Sequence, residues 1–132
     1  MPDPFLHKKF IFNNDIDREF LFSLYEDDFS YIEEIFKTTI DQVQAVMEEI
    51  PRAYESKNDR ELKKMIHKIK PAFGFTGFMK TEKACNEFEE ACADAIHPDR
   101  LSVEFDRLWP LLVSSIQVMQ AEHNKLKEFN NS

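Results

Sequence analysis

The chain predicts an all-α protein: an up-down-up-down four-helix bundle with a short extra helix on its N-terminal side. Three observations carry this. Apolar residues recur at three- and four-residue steps over long stretches, the period of a helix with one buried face. Only two of the 132 residues are glycine, too few for a fold made of many tight turns. Apolar types make up 42% of the chain and include thirteen Phe, enough to fill one core at this length.

The elements follow in order. Residues 1–14 contain Pro2, Pro4 and Asn13-Asn14 and read as an irregular lead-in, whose aromatic residues either pack on the bundle or form a tail. The bundle domain spans residues 15–129. Asn14 or Asp15 caps a short helix with Ile16, Phe20, Leu21 and Leu24. Asp27-Asp28 open a long helix with Phe29, Ile32, Ile35, Phe36, Thr39, Val43, Val46, Met47 and Ile50 on one face. Pro51 ends or bends it, because proline cannot donate to the carbonyl of Met47. Ser56 to Asp59 is the next turn, with Asn58 or Asp59 as cap. A helix through Leu62 and Phe73 follows and ends near Gly74 to Gly77, where Gly77 suits a left-handed C-terminal position.

The following helix runs from about Met79 to Ala95, with Ala84, Cys85, Phe88, Ala91, Cys92 and Ala95 inward. His97-Pro98-Asp99 closes it. The last helix carries Leu101, Phe105, Leu108, Trp109, Leu112, Ile116 and Met119 on one side, with His123 one turn beyond. Its apolar phasing continues across Pro110, which favours one kinked helix over two. Residues 128–132 read as a frayed tail. Phe36, Val43, Phe88, Phe105 and Leu112 are the predicted core contacts.

Charge and composition exclude several functions. A net charge of -8 repels nucleic acid and anionic membranes. No long uncharged apolar run is present to span a bilayer. Lys8 and Lys9 interrupt the apolar residues near the N-terminus, unlike a secretory leader; a cytoplasmic location is expected. Cys85 and Cys92 lie about 10 Å apart along one helix, too far to bridge, and two thiols alone do not suggest zinc. No Glu-x-x-His pair of a metal-carrying bundle occurs; Asp94-Ala95-Ile96-His97 is a single weak relative.

The stretch Arg60 to Gly77 holds the candidate chemistry. At roughly 100° per residue, Leu62, Met65, Ile66, Ile69 and Phe73 form the buried stripe. His67 falls off it, on the side of Lys63, Lys70, Pro71 and Gly74. An exposed imidazole thus lies between ammonium groups, with a compact proline and a glycine beyond it. On geometry alone such a His is most often a solvated surface residue. Yet neutral imidazole is a nucleophile. Five basic residues and one acid lie between Arg60 and Lys70, a local reversal of the overall charge.

His67-Lys68-Ile69-Lys70, with Gly77 ten positions after the His and Cys85, Phe88 and Glu89 beyond it, resembles the signature of histidine-containing phosphotransfer domains. That pattern is His-x-x-Lys-Gly, a later glycine, then a Cys and an apolar-Glu pair. The polar stretch Ala53 to Asp59 resembles the turn before that family's active helix, and a looser likeness runs from about Asp15 to Glu128. Pro71 stands where the family usually has glycine.

The resemblance implies a four-helix bundle and a phosphorelay intermediate. His67 would accept a phosphoryl group from a receiver-domain aspartate and pass it to another. Lys70 would steady the phosphoryl oxygens without being needed for folding. Lys63, Lys64, Lys68, Pro71, Gly74 and Gly77 would line the partner face. The partners would be receiver domains of hybrid sensor kinases and response regulators, and the carrier a monomer. No cofactor of its own is expected; Mg²⁺ belongs to the receiver. No glycine-rich nucleotide loop can be built from two glycines, so a phosphocarrier without kinase activity is expected. The competing reading is a helical module that binds a receiver or other partner passively, without phosphochemistry.

Overall fold

The computed structural model describes residues 10–132. The expectations for residues 1–9, with Pro2, Pro4, Lys8 and Lys9, lie outside the described residues. Every regular element among those described is a helix: α1 (Arg18–Tyr25), α2 (Phe29–Met47), α3 (Ile50–Glu55), α4 (Asp59–Phe75), α5 (Met79–Cys92) and α6 (Arg100–Asn130). They form a helical bundle around one apolar core. α4 packs chiefly along α5, α2 along α6, and α5 along α6; α2 also meets α4.

The first helix begins later than the sequence suggests. Asp17, not Asn14 or Asp15, is its cap, and its side chain accepts the N–H of Phe20 at 3.0 Å. The N–H of Asp17 is already taken by the carbonyl of Gly77 at 2.8 Å, and residues 13–16 form a turn closed by the Ile16 N–H on the Asn13 carbonyl at 3.0 Å. Within α1 only Leu21 is buried; Leu24 faces solvent. Ile16 precedes the helix and is buried, as is Phe12. Residues 10–16 therefore lie along the bundle, with Phe10 edge-on to Phe129 at 5.6 Å.

α2 opens where expected, with Asp28 accepting from the Tyr31 N–H at 3.1 Å. Ile32, Phe36, Thr39, Ile40 and Val43 are buried. The helix ends at Met47, and Pro51 sits in the first turn of α3. There its missing N–H would have no helical partner in any case.

Asn58 caps α4 through the N–H of Glu61 at 3.2 Å. The helix then runs unbroken through Pro71 to Phe75. An interior proline costs about 3 kcal/mol relative to alanine. Leu62, Ile66, Ile69 and Phe73 are all fully buried, and each contributes about 1.5–3 kcal/mol. Burial on both sides of Pro71 outweighs the local penalty.

α4 ends in a Schellman motif. Phe78 N–H donates to the Phe73 carbonyl at 2.8 Å and Gly77 N–H to that of Gly74 at 3.1 Å. Gly77 takes the left-handed conformation, φ 83°. The Phe73 and Phe78 rings meet edge-on at 6.3 Å.

α5 stops at Cys92, short of Ala95, which is exposed. The Asp94 carboxylate accepts the N–H groups of Ile96 and His97, and that local turn competes with another helical turn. α6 is one helix through Pro110. Leu108, Leu112, Ile116, Met119 and Leu126 are buried along it. Phe105 is only partly buried: it stacks on Tyr54 at 3.8 Å instead of entering the centre. The C-terminal turn is helical to Asn130, whose amide donates to the carbonyl of Phe29 at 3.0 Å. Residues 128–130 are thus docked and not frayed.

No helix among the described residues is long and apolar enough to cross a membrane.

Candidate functional site

Ile66 and Ile69 turn one face of α4 into the core, which forces His67 outward. Its side chain is 73% exposed. The same phasing leaves Lys70 at the border with α5, half-buried. On α5, Cys85 and Phe88 are fully buried and set the rotation of that helix. Glu89 follows Phe88 and lands at the α4–α5 seam, with its side chain 10% exposed.

These three residues form one hydrogen-bonded group. Glu89 Oε1 lies 2.7 Å from His67 Nδ1, and Glu89 Oε2 lies 2.6 Å from Lys70 Nζ. Lys70 also donates to Asn86 Oδ1 at 3.4 Å. A carboxylate only accepts, so the contact places a proton on Nδ1. In a neutral ring Nε2 then carries the lone pair. Lys70 supplies the charge that lets the Glu89 carboxylate lie largely out of water.

Lys63, Lys64 and Lys68 are exposed on α4, and Pro71 is exposed one turn after His67. The two glycines are not on that open face. Gly74 is buried, and a Cβ there would run into the Glu82 carboxylate of α5. Gly77 is also buried, against Ile16 and the backbone of Asp17. They set the approach of neighbouring segments rather than clear space above the imidazole.

The sequence names Glu89 only as part of the family signature and gives it no role at the site. Its signal in the sequence is an acidic residue at helical spacing from Cys85, on the stripe that goes inward. A buried acid needs a partner, and α4 offers two. A second such residue is Glu122, only 2% exposed, between Met119 and Leu126 on α6. It accepts the N–H of Asn13 and pairs with Lys125 Nζ at 2.6 Å. His123, expected on that stripe, is half-buried beside it.

The thiols next to the site are poor nucleophiles. Burial pushes Cys85 up to about 12, and the Glu89 carboxylate adds to the shift. Burial and Asp59 push Cys92 up to about 11. Both remain protonated at neutral pH, and both are free cysteines. His97 is at the far end of α5, where its Nδ1 lies 3.3 Å from Asp94. Among the described residues no group of three or more His, Cys, Asp or Glu side chains is arranged to hold a metal ion.

Compared with known proteins, the chain matched no family model, no curated protein and no solved structure.

Proposed function

We propose that this protein is a histidine phosphocarrier that moves a phosphoryl group between receiver-domain aspartates. The observation that carries the reading is the His67–Glu89–Lys70 group: an exposed imidazole with Nδ1 held by a largely buried carboxylate and Nε2 open to solvent.

The Nε2 lone pair attacks phosphorus, the bond to the acyl oxygen breaks, and the aspartate leaves as its carboxylate with the electron pair. The ring keeps its Nδ1 proton and becomes cationic. Glu89, already on that proton, stabilises the charge. The reverse step delivers the group to a second aspartate. In this reading Lys70 Nζ, on Glu89 before transfer, turns toward the phosphoryl oxygens, whose charge needs compensation rather than covalent help. The exposed Lys63, Lys64 and Lys68 favour encounter with an acidic receiver pocket, which brings its own Mg²⁺.

The architecture is consistent with this role. α2, α4, α5 and α6 meet in the cycle α2–α4–α5–α6–α2, as an up-down-up-down four-helix bundle requires, with α1 added outside it. We further read the protein as a cytoplasmic monomer whose partners are hybrid sensor kinases and response regulators.

The test is incubation with a phosphorylated receiver domain. Wild type gains an acid-labile label; His67→Gln gains none, while His7→Gln, His97→Gln and His123→Gln retain it. Persistent labelling of His67→Gln sinks the assignment, and an unlabelled wild type returns the protein to the passive reading.

A further inference from the structure

Pro71 violates a helix rule in full view of solvent. It lies inside α4, its ring is exposed, and the helix continues past it to Phe75. Ile69 and Phe73, on either side, are buried. The exposed ring fills no core position. Its consequences are all on the outer face: a rigid apolar ring and a His67 carbonyl deprived of its helical donor.

We infer that Pro71 is a specificity-determining contact for the phosphodonor receiver, held at the expense of fold stability; this rests on the phosphocarrier reading. Pro71 lies about 6 Å along the helix from His67, and Phe75 about 12 Å. A transient interface of about 600 Å² per partner reaches about 14 Å from its centre. A protein delivering a phosphoryl group to Nε2 therefore covers both residues. Phe75 is 56% exposed, one turn after Pro71 and on the same side. It borders a shallow depression lined by Tyr25 and by Tyr31, Glu34, Ile35, Thr38 and Thr39 of α2, with Glu34 the one charged group there.

Together the two side chains make an apolar ridge beside the nucleophile, between it and α2. Lys64 and Lys68 are exposed on the same side of α4. The acidic mouth of a receiver complements these lysines, and its rim must then lie on the ridge. A receiver with an apolar residue there is accepted. One with a polar acceptor buries it against a ring that has no donor, which costs affinity. Proline loses no side-chain entropy on docking, so the ridge is preformed.

The experiment compares wild type, Pro71→Ala and Phe75→Ala with two phosphodonors. Phosphoramidate is a small donor that needs no docking surface. A panel of receiver domains charged with acetyl phosphate does need one. Pro71→Ala should raise Tm by about 10 °C, because a helix-breaking residue is gone. Its phosphoramidate labelling should stay within twofold of wild type. The half-saturating concentration of the best receiver should rise at least fivefold in both variants, and differences among receivers should shrink.

Unchanged receiver kinetics in both variants overturn the inference while leaving the carrier reading intact. An equal loss with both donors overturns it too, by placing Pro71's effect on the nucleophile. A wild type charged by phosphoramidate but by no receiver removes the relay reading and this inference together.

Discussion

Glu89 is the residue on which the site turns, because one carboxylate serves two cationic or proton-bearing groups on the neighbouring helix. Glu89→Gln keeps the shape and can still accept from Nδ1. Only one of its two terminal atoms can accept, where Glu89 uses one oxygen for each neighbour, and it carries no charge to offset a cationic ring. Labelling of His67 by phosphoramidate should slow about tenfold or more, equivalent to about 1.4 kcal/mol in the barrier. The sequence places Lys70 at the edge of the exposed face and dispensable for folding. Its ammonium instead neutralises Glu89. Lys70→Ala should therefore cost about 1–2 kcal/mol of stability, the range for a hydrogen bond to a charged group with part of the pair wet. Denaturant titrations check this; a loss near zero would show that water replaces the ammonium without penalty.

At the scale of elements, the α4–α5 turn sets the register of the two helices that share the site. Gly77 is its pivot, with φ 83° and a carbonyl that accepts the Asp17 N–H. An alanine Cβ there would lie 2.8 Å from Ile16 Cγ2 and 3.3 Å from the backbone of Asp17. Strain in the left-handed region alone costs about 1–2 kcal/mol. Gly77→Ala should thus lose about 2 kcal/mol or more and weaken the seating of Ile16. A melting temperature equal to wild type would mean that the turn relaxes into another form. α4 illustrates the opposite balance: four buried side chains keep it helical through a proline that an isolated peptide would not tolerate.

At the scale of the whole molecule, the segment before α1 is part of the core. Phe12 is buried against Phe36, and Phe10 meets Phe29 and Phe129. Glu122 secures this segment from α6 by accepting the Asn13 N–H, with Lys125 as its counter-charge. Removing the carboxylate leaves that N–H poorly satisfied, at a cost of about 1–3 kcal/mol. Glu122→Ala should destabilise the fold by this amount and expose the Phe10–Phe12 segment. Chymotrypsin should then cut there faster than in wild type. Equal cleavage rates would show that the aromatic contacts hold the segment without the latch.

The helices and the outward placement of His67 follow from the primary structure alone. A helix period is a local property: Leu62, Ile66, Ile69 and Phe73 go inward together, and His67 cannot join them. The start of α2 at Asp27-Asp28, the α4 cap to within Asn58 or Asp59, and the left-handed Gly77 were legible for the same reason, since each depends on a few adjacent residues. Three things needed the folded chain. Glu89 joins His67 and Lys70 across 22 and 19 residues, a meeting set by how Phe88 and Cys85 rotate α5 in the core. The start of α1 at Asp17 depends on a carbonyl 60 residues away. Glu122 finds its backbone partner 109 residues upstream. Periodicity tells which face of each helix is buried, but not which residues of two faces oppose one another; packing density and the pairing of buried charges decide that.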